Sequence, residues 1–150
     1  VPYRTFIASK GAEVRVGRSS KDNDRLSIDP EFRDSDDWWL HAGGCPGSHV
    51  IVRSRSLEAA QKAAGGSSDK LPAEVAMDAA VLAAYFSKAA PSGVVPVSLV
   101  RARQVKKPMG AKAGLVQLNG DVQTLRVDWR REQPRLARLE KDEVPVPVEE

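Results

Sequence analysis

Between Asp37 and His49 the chain gathers Trp38, Trp39, His41, Cys45 and His49 around the turn Gly43-Gly44-Cys45-Pro46-Gly47. Both histidines and the only cysteine lie in this stretch. Three chemistries would use such a set. His41, Cys45 and His49 are spaced four apart, which suits zinc with Asp37 as a fourth ligand. No CxxC or HExxH motif accompanies them, and packed or paired histidines are the plainer reading. Ser48 beside His49 offers a hydroxyl and an imidazole, yet adjacent strand residues point to opposite faces, so the two are poorly placed to share a proton. No GxSxG elbow, Walker lysine loop or Rossmann fingerprint is present. The third use is stacking: an exposed indole on a base is worth about 1–3 kcal/mol. Trp38 and Trp39 must face opposite ways on a regular strand, so one of the two is core and the other lies nearer the surface beside His41; Trp39 is carried as the site candidate, and burial of both in the core is the alternative.

A second stretch carries charge. Val105-Lys106-Lys107-Pro108-Met109-Gly110-Ala111-Lys112-Ala113-Gly114 sets three lysines around two glycines. Glycines let backbone amides approach a phosphate and lysines supply the countercharge. Arg101 and Arg103 extend this patch on one face of the preceding strand, and Arg18 and Lys21 add to it from the loop after the second strand. Residues 79–139 hold 11 Lys and Arg against 3 Asp and Glu, whereas residues 140–150 hold 1 against 5. A basic half followed by an acidic, Pro-spaced tail attracts polyanions, nucleic acid being the usual case; a solvated basic face is the alternative.

Tyr3–Ala8 and Glu13–Gly17 alternate as strands, and Ser19 or Ser20 caps a short helix running to Ile28 before Asp29-Pro30. Asp37–Ala42 and Ser48–Arg53 are strands flanking the glycine turn. Ser54–Leu71 looks like an insertion containing an Ala-rich helix over Ser56–Ala64. Pro72 to Ala90 is a long helix with a broad apolar surface. Val94–Val105 alternates as one strand, and Gly114–Leu118 and Val122–Trp129 form two more around Asn119-Gly120, with a short helix over Arg130–Leu139. The tail around Pro145-Val146-Pro147-Val148 reads as extended or disordered. The fold class expected is α+β, a mostly antiparallel sheet packed by one long helix, with a short helix after the second strand.

At 150 residues, the chain is one domain, expected to bury roughly 68–70% of its unfolded surface. Its domain limits are placed at residues 1–139, followed by the acidic tail over 140–150. One cysteine forms no internal disulfide, which points to a reducing compartment. No apolar run approaches a membrane span. The chain opens Val1-Pro2 without Met, and an excised domain or processed product is expected.

In order along the chain, these segments resemble the NFACT-R domain, the RNA-binding module of NFACT proteins. Gly17-Arg18-Ser19 stands where that family has Gly-Arg-Asn, followed by the pair Asn23-Asp24. Asp37-Trp38-Trp39-Leu40-His41 and Pro46-Gly47-Ser48-His49 are similar to its Asp-x-Trp-Phe/Leu-His and Pro-Gly-Ser-His segments. Tyr85-Phe86-Ser87-Lys88 resembles the Tyr-x-Ser-Lys end of its Ala-rich helix, and Val105–Gly114 its Lys-Pro turn. Ser19 for Asn, Ala113 for Pro and the Ser54–Leu71 insertion are departures.

The resemblance implies RNA binding without catalysis and without a cofactor. Multidomain relatives work in ribosome-associated quality control, bind the large ribosomal subunit and recruit tRNA; some short relatives are linked to DNA. The expected partner is therefore tRNA or rRNA, with DNA as a further polyanion, the large subunit as a setting and no membrane. The location implied is the cytoplasm, or an organelle if a transit peptide has been removed. Arg18, Lys21, Arg101, Arg103, Lys106, Lys107 and Lys112 are expected to meet phosphates. Trp39, His41, Ser48 and His49 line or brace the adjacent surface, and Asn23 and Asp24 order the loop. Changing Lys106, Lys107 and Lys112 together to Ala is expected to remove most affinity with the fold intact. The rival readings are a protein-docking module using the basic face and a metal-dependent hydrolase at Asp37, His41 and His49.

Overall fold

A computed structural model describes residues 1–63, 70–89 and 93–145. Strands β1 (Tyr3–Ile7) and β2 (Glu13–Gly17) form a hairpin, followed by helix α1 (Ser20–Ile28). Strands β3 (Trp38–Ala42) and β4 (Val50–Val52) flank the glycine turn, and helices α2 (Ser54–Ala63) and α3 (Ala73–Tyr85) come next. Then follow β5 (Val94–Arg101), β6 (Val105–Lys106), β7 (Gln117–Leu118), β8 (Gln123–Asp128) and helix α4 (Trp129–Lys141). Six strands make one sheet in the order β1-β2-β4-β3-β5-β8, and β6 and β7 make a separate pair. Every pairing is antiparallel. The fold is α+β.

The period-two alternation of the strands gives the sheet two apolar faces. Phe6, Val14, Val16, Leu40, Val50, Val52, Val97 and Leu99 pack beneath α3 in the larger core. Trp39, Ile51 and Val100 point the other way and pack with Leu26, Phe32 and Val105 beside α1. Alanines at 76, 79, 80, 83 and 84 are all buried, so α3 lies close against the sheet.

Four sequence expectations change in detail. The helix expected to reach Ala90 ends at Tyr85, because the next residues pair with the glycine turn: Ser48 N–H donates to Phe86 O at 2.9 Å and Lys88 N–H to Pro46 O at 2.8 Å. Residue Ala90 itself lies outside the described residues, as do residues 64–69 of the insertion and 146–150 of the tail. The strand expected to reach Val105 breaks after Arg101 into a 3-10 turn, where Ala102 N–H donates to Asp37 O at 2.7 Å. The strands around Asn119-Gly120 do not pair with each other; β7 joins β6 and β8 joins β5. The Gln104 side chain captures the turn between them, its amide donating to Asn119 O and Asp121 O at 2.8 Å each. Finally, α4 matches α3 at 13 residues.

Beyond α4 the chain turns back along β1. Ile7 N–H donates to Asp142 O at 3.2 Å, and Val144 N–H donates to Thr5 O at 2.8 Å.

Candidate nucleic-acid interface

The sequence His49-Val50-Ile51 sends His49 to the same sheet face as Ile51 and Trp39. His49 is buried there, only 2% exposed. Its Nδ1 lies 2.7 Å from Ser27 Oγ and its Nε2 lies 3.1 Å from Gly114 O. Trp39 Nε1–H donates to the same Ser27 Oγ at 2.9 Å. These distances fix a direction: indole N–H to serine oxygen, serine O–H to His49 Nδ1, and His49 Nε2–H to the Gly114 carbonyl. A neutral imidazole fits that chain. Burial and the neighbouring His41 hold the His49 pKa down at about 4. His41 lies edge-on to His49, 5.3 Å between ring centroids, and burial lowers its pKa too.

Helix α1 ties this buried chain to the surface. Ser19 caps the helix, accepting from Asp22 N–H at 3.2 Å. One turn on, the buried Asn23 accepts from His49 N–H at 3.1 Å and donates to Gly47 O at 3.3 Å. A Cβ on Gly17 would stand 2.0 Å from Asn23 Oδ1, so the Gly-Arg-Ser turn needs glycine for this approach. Asp24, on the same helix, accepts from Gly114 N–H at 3.0 Å and pairs with Lys107 at 3.2 Å. Lys107 also donates to the carbonyls of Lys112 and Leu115. The turn from Lys107 to Leu115 is therefore clamped to α1 and to the glycine hairpin.

Two adjoining grooves open over this scaffold. One, of about 450 Å3, lies between the β3–β4 loop and the 107–115 turn and is lined by Asn23, His41, Cys45, Pro46, Lys112 and Leu115 among others. The other, also about 450 Å3, is lined by Arg18, Ser19, Ser20, Ser48, Ser87 and Lys88. They share Ser20, Asn23, Pro46 and Gly47. Arg18, Lys21, Lys88, Lys106 and Lys112 are exposed, and among the described residues none of the five side chains is in an ion pair.

The structure thus brings together Arg18, Asn23, His41, Ser48 and Lys112 at the grooves, with His49 and Asp24 bracing them. Trp39 is not an exposed indole: it is 2% exposed, in the core. Trp38 is the half-buried one, and the Arg101 guanidinium covers it at 3.4 Å. Arg101 and Arg103 are held at the far end of β3 and β5, about 13 Å along the strand from Ala42. There Arg101 donates to Asp36 O at 2.7 Å and Arg103 pairs with the Asp36 carboxylate at 2.9 Å. Lys107 is committed to Asp24, so the triple lysine change would also release the turn.

Asp37 is equally committed. It is fully buried, accepts from Asp34 N–H and from Ser54 N–H at 2.9 Å each, and pairs with Arg53. It cannot join His41 and His49 in a metal or hydrolytic site. Among the described residues no three His, Cys, Asp or Glu side chains converge to hold a metal. Ser48 Oγ–H donates to Gly17 O at 2.7 Å, so the serine that meets His49 is Ser27. Sequence reasoning missed Ser27 and Lys88. Tyr85-Phe86-Ser87-Lys88 was a legible motif, but nothing in it signalled that Lys88 would fold back onto the hairpin.

Helix α1, the hairpin and the basic turn form one continuous unit, and a profile of the family described as the NFACT protein RNA binding domain matches residues 2–120. The chain belongs to this family. Everything in the two grooves lies within the part of this NFACT RNA-binding domain that is matched. The Rqc2 homolog RqcH of Bacillus subtilis is 38% identical over 112 residues, which span 75% of this chain and 17% of that protein. The Rqc2 homolog RqcH of Streptococcus suis is 36% identical over 123 residues, 81% of this chain and 19% of that protein. The solved C-terminal part of the fibronectin/fibrinogen-binding protein from Streptococcus suis aligns with a TM-score of 0.75 and 30% identity, covering 96% of this chain and 50% of that one. The NFACT RNA-binding domain thus spans less than one fifth of the curated relatives.

Proposed function

We propose that this domain binds RNA non-enzymatically, contacting backbone phosphates through Arg18, Lys21, Lys88, Lys106 and Lys112. The observation that carries the reading is the pair of adjoining grooves, edged by cations that no acidic side chain neutralises and braced by a hydrogen-bonded network whose own charges are paired internally. Phosphates gain from such a surface because the bound counterions of the RNA are released. Similarity to the RqcH proteins supports a ribosome-associated role in the cytoplasm, with tRNA or rRNA as the ligand. DNA offers the same phosphates and is a weaker candidate.

The test is RNA binding against salt concentration. Each phosphate contact contributes a log–log slope of about −0.7 to −0.9. Replacing Arg18, Lys21, Lys88 and Lys112 together with Ala is expected to flatten the slope by about three to four units. An unchanged slope and affinity would refute the assignment.

The name of the solved Streptococcus suis relative favours one second reading, protein docking. Binding of purified fibrinogen or fibronectin that persists after nuclease treatment, and that RNA does not compete away, would support it over the first.

A further inference from the structure

We propose that the groove between the β3–β4 loop and the 107–115 turn holds one unpaired RNA nucleotide, so that the domain selects single-stranded or bulged RNA over continuous duplex. This rests on the RNA reading above and adds to it a ligand class.

The groove is more apolar than its neighbour, which shares Pro46 and has Phe86 but sets two cations, Arg18 and Lys88, beside them. Its volume of about 450 Å3 falls within the roughly 300–1,000 Å3 range of small-molecule sites. Its walls combine an imidazole, His41, with Pro46 and Leu115. Leu115 is left 58% exposed, an apolar group at the end of the turn. Lys112 stands on the same side. Aromatic and apolar walls with one cation suit a base and its phosphate together; a surface meant for duplex backbone needs only the cations.

The walls are pre-set. His41 is packed against Trp39 and His49 at 5.9 and 5.3 Å between ring centroids. Gly114 is bound at both its N–H and its C=O, by Asp24 and His49. Neither wall has to be ordered when a ligand enters, so less of the contact energy is lost to rearrangement. Burial keeps His41 neutral at physiological pH, which leaves an uncharged ring for stacking or hydrogen bonding. The neighbouring groove, with Arg18 and Lys88, lies along the shared wall Ser20-Asn23-Pro46-Gly47. A strand whose base is seated beside His41 can therefore run its next phosphate past Arg18. Bases in a duplex are stacked and paired and cannot be splayed into such a slot without cost.

Cys45 supplies the test. It lines this groove, is half-buried and is the only cysteine of the chain. Iodoacetamide labelling of the 150-residue chain is followed with a single RNA strand of about 12 nucleotides, or with the same strand annealed to its complement, each at saturation. The single strand is expected to slow Cys45 alkylation by about fivefold or more, and the duplex to leave it near the free rate. Ala113→Leu, which narrows the groove from the exposed turn, and His41→Ala are each expected to bring single-strand affinity down toward that for duplex. Equal protection by both RNAs, or by neither while both bind with salt-dependent affinity, overturns the nucleotide site and leaves the RNA reading standing. If neither RNA binds, both readings are overturned.

Discussion

Two buried polar clusters lie on opposite faces of the sheet, and they are built on different principles. Beneath α1, Ser27, Trp39 and His49 form an uncharged chain of hydrogen bonds. Beneath α4, the fully buried Asp78 pairs with Arg135 and Arg138 and accepts from Ser9 N–H and Oγ–H at 2.8 Å each. The ionic cluster fastens α4 and the β1–β2 turn to α3. Asp78 and Glu132 hold the Arg135 guanidinium more firmly charged than usual. The neutral cluster sets the position of a surface without adding charge to it. Basic charge counted along the chain is therefore not basic charge offered to a ligand: Arg135 and Arg138 belong to the basic half, yet they answer an internal carboxylate.

Breaking the ionic cluster should have the largest effect. Asp78→Ala leaves two guanidinium groups short of their buried partner and is expected to cost about 3 kcal/mol in urea unfolding. RNA affinity of the folded protein should remain near that of the parent. A cost below about 1 kcal/mol would show that the cluster does not clamp α4 to α3.

Acid tests the neutral cluster. His49 takes up a proton near pH 6.5 when unfolded but only near pH 4 when folded. In that window the unfolded chain binds more protons, so stability is complete above pH 6.5 and falls as pH drops toward 4. The loss from this residue is about 3 kcal/mol. Stability of His49→Gln, followed by chemical denaturation across the same window, should fall less steeply than that of the parent.

A smaller effect is expected from Ser27→Ala. It strands the Trp39 indole N–H and His49 Nδ1 in the core, at a cost of about 2 kcal/mol. The smallest contrast separates two adjacent lysines. Lys107→Ala should speed hydrogen exchange at the Gly114 amide, because it loosens the Asp24 clamp, for a loss of about 1 kcal/mol. Lys106→Ala should leave that exchange unchanged and reduce the salt slope of RNA binding by about one.

Much of this arrangement was legible in the sequence for physical reasons. Strand alternation placed Trp38 and Trp39 on opposite faces, and a serine before α1 announced its cap. The Asn23-Asp24 pair and the Lys-Pro turn were visible as ordering and basic segments. What could not be read was which charges face each other. Lys107 resembles Lys106 and Lys112 until Asp24, 83 positions away, is seen to take it. Asp37 resembles a metal ligand until Arg53 and Ser54 occupy it. Alternation says that two tryptophans diverge, not which side the core lies on, so which indole is the less buried could not be read. Strand register failed at Asn119-Gly120 for a related reason: the turn is real, but Gln104 decides what its arms pair with.

The return of the chain along β1 bears on how the domain avoids its own kind. An uncovered outer strand presents unpaired N–H and C=O groups that a second molecule can use as a template. Thr5 and Ile7 direct such groups outward, and Asp142 and Val144 occupy them. At the other margin, β8 carries exposed Gln123, Thr124, Arg126 and Asp128, whose polarity discourages sheet extension. Cutting the chain after Lys141 would strip the first margin bare while leaving both grooves whole, and the shortened domain should aggregate before it loses RNA affinity.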